Sequence, residues 1–234
     1  MTGILERAKT FFQQDGRLLE RHLFHHLFEN GPREAVLRSL LAYQTEVGGF
    51  AYGLEPDKRS SNPQPIDQEQ ALRVLADIGS DARTLERILG FLPTLTTPEG
   101  GLPFVLETVA DAPRAPWWNT DPGPPASLNP TASVAGLLYA LGVTHPWLGA
   151  ATAFVWERLE VLAESDPHTL LSVLVFLEHV PDRDRAEKAL TRLADDIRRN
   201  TELATDAPGY VFPPYAFAPT PDSLGRTPLR EDTF

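Results

Sequence analysis

The chain has 234 residues, 32 acidic against 21 basic, with no cysteine, one methionine and 22 prolines. A net charge of −11 argues against a basic footprint for nucleic acid or anionic membrane, and the lack of cysteine removes disulfides, thiolate zinc sites, iron–sulfur clusters and cysteine nucleophiles. No run approaches the ~20 apolar residues of a membrane span and no signal-peptide pattern is present, so a cytoplasmic protein without an integral membrane segment is expected.

In chain order, Leu5, Ala8, Phe11 and Phe12 predict a first helix, and Leu18, Leu19, Leu23 and Leu27 a second. A third follows Pro32 through Val36, Leu37, Leu40, Leu41 and Gln44. Asp67 to Gln70 reads as a capping-box start for the helix of Ala71, Leu72, Leu75 and Ala76, and Leu85, Ile88, Leu89 and Leu92 form the next. Asn129-Pro130 and Asp166-Pro167 each read as an N-cap followed by proline at the first helical position, and His145-Pro146 starts a helix through Phe154, Val155, Leu159 and Leu162. The last clear helix runs from about Arg183 to Arg199. No segment alternates as a strand would, so the fold class expected is all-α.

The prolines cluster at Pro56–Pro65, Pro93–Pro103, Pro113–Pro130 and Pro208–Pro228, between the helices. Leu170 to Leu177 is apolar on every side, whereas the helix after it carries Arg183, Asp184, Glu187, Lys188 and Arg192. Buried helices alternating with amphipathic ones suit an array of helical hairpins, one layer shielding the other. Residues 1–234 read as a single domain with a Pro-rich loop at 107–129 and an extended aromatic, Pro-rich segment at 205–234.

Gln44-Thr45-Glu46-Val47-Gly48-Gly49-Phe50 ends one helix with a Gly-Gly-aromatic turn, and Thr97-Pro98-Glu99-Gly100-Gly101-Leu102-Pro103-Phe104 ends another. Asp206-Ala207-Pro208-Gly209-Tyr210-Val211-Phe212 is a looser third copy. On this repeat the chain resembles the terpenoid cyclase/protein prenyltransferase α/α-toroid superfamily, whose squalene–hopene cyclases carry similar Gln-x-x-x-Gly-Gly-Phe repeats. The resemblance implies a ring of helical hairpins around a cavity and an enzyme acting there on a hydrophobic isoprenoid small molecule. The Asp-x-Asp-Asp acid signature, the Asp-Asp-x-x-Asp magnesium signature and the cysteine-containing zinc site of that superfamily are all missing. Magnesium stays open as a cofactor with no motif to hold it, and no other cofactor is expected. About eight or nine helices are predicted against the twelve of a full ring, and Arg230 to Phe234 reads like the start of another. An open ring, a longer natural chain or closure across a homodimer would each fit.

Chemistry is expected in the connections. Phe50-Ala51-Tyr52-Gly53-Leu54-Glu55-Pro56-Asp57 places two carboxylates and a tyrosine in a Gly/Pro-constrained loop. Pro56 restricts Glu55 to extended backbone, and desolvation would let Glu55 or Asp57 act as a general acid. The bland alternative has Glu55 capping a helix and Asp57 in solvent beside Lys58 and Arg59. Trp117 and Trp118, with Phe50, Tyr52, Phe104 and Tyr210, are the aromatic candidates to line a substrate cavity, as a lid stabilising cations or a platform for sugars. The alternative for the two tryptophans is simple anchoring of an irregular loop. Asp121 is a third acidic candidate. His22, His25 and His26 share one helix, but interleaved Leu23, Phe24, Leu27 and Phe28 favour helix packing over metal binding, and no metal ligand is assigned. Arg59-Ser60-Ser61-Asn62 is a polar loop able to meet an anion. Two further functional readings stand beside the isoprenoid one: a carbohydrate-active helical enzyme using paired carboxylates and tryptophan platforms, and a non-catalytic ligand-binding or scaffold protein.

Overall fold

A computed structural model describes residues 2–204 and 209–229. The described chain is all-α, with isolated bridges and no strand among those residues. Contacts divide it into two compact units: residues 1–91 with 108–119, and residues 92–107 with 120–234.

The first unit contains α1 (Thr2–Asp15), α2 (Leu18–Glu29), α3 (Arg33–Leu41), α4 (Pro65–Ile78) and most of α5 (Ala82–Leu95). Helices α1 and α2 form a hairpin, and α2, α3 and α4 pack mutually. Helix α4 is the most buried of this unit, because nearly every position from Pro65 to Leu75 is covered, including Asp67, Gln68 and Glu69. It begins earlier than the sequence suggested. The Asp67 carboxylate reaches back to the Gln64 backbone N–H at 3.2 Å, so the acid closing the box is Asp67 and the cap is Gln64.

The second unit contains α6 (Leu128–Ala140), α7 (Pro146–Val161), α8 (Pro167–His179), α9 (Arg183–Arg199) and the short α10 (Pro214–Phe217). Prolines open α4, α7, α8 and α10, where a missing N–H costs nothing. Asp166 caps α8 by accepting from the His168 and Thr169 N–H groups. Helix α6 lies along α8, both covered over most of their length, while α7 and α9 bury one face each. In α9 the covered positions are Ala186, Ala189, Leu190, Leu193, Asp196 and Ile197. Asp196 departs from the expected charged outer face. It is buried and accepts from the Ser165 N–H at 2.8 Å, tying α9 to the segment before α8.

The α6–α8 contact depends on Gly136. A Cβ added there would lie 2.4 Å from the Val175 carbonyl oxygen. Backbone on backbone cannot yield as a side-chain tip can, so Gly136→Ala must part the helices. Overpacking of this kind costs about 1–3 kcal/mol. A thermal melt should therefore show a clear drop, and a melt equal to the parent's would mean the helices separate freely.

The Gly-Gly turns are built alike. Thr45 N–H donates to Gly49 O at 2.8 Å and Gly48 N–H to Thr45 O at 3.1 Å; Thr97 N–H donates to Gly101 O at 2.9 Å and Gly100 N–H to Thr97 O at 2.9 Å. Gly48 and Gly100 have φ of 100° and 88°, a region open to glycine. The next residue is then gripped by the first turn of the following buried helix: Phe50 by the Gln68 amide, Leu102 by the Thr131 hydroxyl. Leu102, not Phe104, is thus the counterpart of Phe50. The third copy differs, because Phe212 pairs in parallel with Thr201, and Asp206 to Pro208 lie outside the described residues. Of the run from Tyr210 to Phe217, expected to be extended, residues 210–213 are non-helical with Phe212 in the bridge, and Pro214–Phe217 close into α10. Arg230 to Phe234 also lie outside the described residues.

Candidate functional site

The loop after the first Gly-Gly turn is held at both ends. Ala51 N–H donates to Tyr43 O at 2.9 Å and Tyr52 N–H to Ser60 O at 3.0 Å, closing residues 52–60 on themselves. Tyr52 has φ 59°, rare for an aromatic residue, and its side chain is 51% exposed. Arg17, the residue just before α2, adds a clasp, donating to Gly53 O at 2.5 Å and Leu54 O at 3.1 Å.

The second half of the loop pairs with the Pro-rich connection. Arg59 N–H donates to Pro113 O and Ala115 N–H to Asp57 O, both at 2.9 Å, making an antiparallel bridge between Lys58 and Arg114. The pairing delivers the turn Pro116–Trp118 onto Asp57. Trp117 Nε1 donates to one carboxylate oxygen at 2.8 Å and Trp118 Nε1 to the other at 2.5 Å. Trp118 is buried, and Trp117 remains 62% exposed. The two tryptophans therefore divide the roles expected of them, one anchoring the loop and one offering an open ring face. Asp57 is not free in solvent, since each oxygen accepts an indole N–H.

Glu55 is half-buried, its Oε2 accepting from Gln70 Nε2 at 3.0 Å. Burial raises its pKa from 4.5 to about 7, with the charges of Asp57 and Asp67 pushing the same way and Gln70 and Lys58 opposing them. Beneath it lies a fully buried ion pair between Lys58 and Asp67. The Asp67 carboxylate also accepts the backbone N–H of Glu55 at 3.1 Å and that of Gln64, so one buried acid joins the loop to the start of α4. Its pKa is nonetheless raised, because burial outweighs the Lys58 ammonium and these N–H groups.

In the sequence Lys58 has no partner and Gln70 only a place in a capping-box start, whereas the structure pairs Lys58 with Asp67 and Gln70 with Glu55. The available signal was a lysine in a Gly/Pro loop nine residues ahead of an acid in a helix's first turn. The Ser60 and Asn62 side chains both donate to the Asp111 carboxylate, so the anion this polar loop meets is one of the chain's own.

The structure thus gathers Tyr52, Glu55, Asp57, Trp117 and Trp118 in the first unit. Phe50 belongs to the same unit with no exposed surface, a core residue bound by Gln68. Phe104, Asp121 and Tyr210 belong to the second unit. There Asp121 is exposed, Phe104 is half-buried, and Tyr210 is exposed with its hydroxyl on His168 Nδ1. The three histidines of α2 have partners within the chain: His22 Nδ1 lies 2.8 Å from Ser39 Oγ, His26 Nδ1 2.8 Å from Gly31 O, and exposed His25 pairs with Glu29. Among the described residues no three acidic or histidine side chains converge as a metal centre, and no helix is long and apolar enough to cross a membrane. Compared with known proteins, the chain matches no family model and no curated protein.

Proposed function

We propose that residues 51–60, with Gln70 and Trp117, form an acid–base site acting on a hydroxyl-bearing ligand of the carbohydrate class. The observation that carries this reading is Glu55: a hydrogen-bonded carboxyl whose proton affinity sits near neutrality, felt by two further acids. Such a group moves protons efficiently at pH 7 when its target is an oxygen. Asp57, with both oxygens bound by indoles, contributes a held negative charge more readily than a nucleophile. Exposed Trp117 and the conformationally strained, exposed Tyr52 provide aromatic faces suited to the apolar face of a sugar ring.

The isoprenoid reading asks for different chemistry. Protonating an alkene or epoxide requires a strong acid, and raising a carboxyl toward 7 weakens it. The groups around Glu55 are carboxylates and an amide, a polar setting that favours sugar over hydrocarbon. The scaffold reading expects Glu55, Asp57 and Asp121 solvated and far apart; exposed Asp121 fits it, but half-buried Glu55 and indole-bound Asp57 speak against it. The likeness to α/α toroids remains a proposal about build, supported by the matched Gly-Gly turns and by the alternation of covered and half-covered helices from α6 to α9.

The test is a survey at pH 7 of chromogenic aryl glycosides and oligosaccharides beside polyprenyl alcohols and diphosphates. Saturable binding or turnover is expected in the sugar series. Product formed from the polyprenyl series alone, or no sugar bound at all, would overturn the reading.

A further inference from the structure

One end of the Glu55 loop abuts a groove of about 340 Å³ between α2 and α3, within the roughly 300–1,000 Å³ of small-molecule sites. Leu18, Leu19, Ala35 and Ala42 form its walls, with Arg38 at the rim. Three of its polar atoms are engaged with one another: His22 Nδ1 lies 2.8 Å from Ser39 Oγ, which donates to Ala35 O at 2.9 Å. What the groove offers a ligand is therefore mainly hydrocarbon, and Leu18 at its edge is 61% exposed.

The groove and the acid loop are linked through Tyr43 and Arg17. Tyr43 lines the groove, and its carbonyl accepts from Ala51 at the head of the loop. The Arg17 guanidinium lies 5.6 Å from the Tyr43 ring centre while binding the carbonyls of Gly53 and Leu54, the residues just before Glu55. A polar acid–base loop beside an apolar trough matches a ligand with two chemically different ends.

We propose that this groove is the apolar subsite of the Glu55 site and takes the alkyl chain of an amphiphilic glycoside whose sugar reaches Glu55. The inference rests on the acid–base reading above. It adds the chain, and it assigns α2 and α3 the specificity for it.

The experiment titrates the full chain with methyl, butyl, hexyl and octyl glucosides, each below its micelle-forming concentration. It follows the tryptophan indole and the leucine and alanine methyl resonances. Methyl glucoside should move the indole signals of Trp117 and Trp118. Longer chains should also move the methyls of Leu18, Ala35 and Ala42, tightening binding roughly fourfold per added CH₂ until the groove is full. Ala42→Trp should abolish that increment. Indole shifts with an affinity independent of chain length would overturn the subsite and leave the acid–base reading standing. Methyl shifts in the groove with silent indoles would make the groove a separate site, overturning the inference and weakening the reading beneath it. Concentration-dependent self-association that protects Leu18 and Ala42 would identify the groove as a contact between copies and also overturn it.

Discussion

Lys58→Met is expected to lower the melting temperature by on the order of 10 °C, a loss of about 3–5 kcal/mol. The Lys58 and Asp67 side chains are both fully covered, and removing one leaves the other as an uncompensated buried charge. Asp67 already holds its proton more tightly than a free carboxyl, because burial outweighs its partners, and loss of the ammonium strengthens that hold. An acid whose pKa is raised by folding adds stability below its unfolded value and loses it as the pH climbs through the folded value. The deficit of Lys58→Met relative to the parent should therefore be smallest in acid and grow toward neutrality. Lys58→Met with Asp67→Asn should recover much of the loss, since both charges go, while the single amide oxygen keeps one of the two backbone donors that Asp67 holds on separate oxygens, the N–H of Glu55 or that of Gln64. Denaturant melts of the three proteins at several pH values decide this. A double variant no better than the single would mean that the pair is not the source of the effect.

Glu55→Gln is expected to cut turnover of a responsive glycoside about 10²- to 10⁴-fold, the usual span for a lost general acid or base. The parent's rate should bend near pH 7, and the variant's residual rate should not. Stability offers a check independent of substrate. Glu55 goes from 4.5 to about 7 on folding, so its contribution is complete below about 4.5 and fades as the pH rises through 7. Glutamine has no such dependence. The two melting temperatures should therefore converge in acid, and the variant should gain on the parent across that window. Parallel curves would mean that Glu55 titrates as it does in the unfolded chain. An unchanged rate with diverging stability curves would leave Glu55 perturbed but idle in catalysis.

The features readable from the sequence are those decided within one turn or one face of a helix. Proline after a capping residue marks the starts of α7 and α8 because the cap and the missing N–H are local. The covered stripe of α9 follows its own 3.6-residue period. The Gly-Gly turns are legible because their closing hydrogen bonds span four residues. Even there, which residue fills the Phe50 position in the second copy was misread, since Leu102 is selected by Thr131, 29 residues away.

The candidate site divides along the same line. Composition and loop chemistry single out Tyr52, Glu55, Asp57 and the tryptophan pair as residues of interest, because acids and aromatics in a Gly/Pro-constrained loop stand out on their own. Which of them carries an unusual proton does not follow from the loop. Asp57 meets its indole donors 60 and 61 residues along the chain, and Glu55 meets Gln70 a full connection away on α4. Lys58 looks like a solvated loop lysine until the first turn of α4 supplies Asp67 and closes over it. The sequence by itself determined the longer helices, the capped starts of α7 and α8 and the residue types in the loop, each a matter of local hydrogen bonding and periodicity. The tertiary structure alone decided burial and pairing, and hence the proton affinity of Glu55, because the cost of a charge depends on the water and partners that packing removes or brings near.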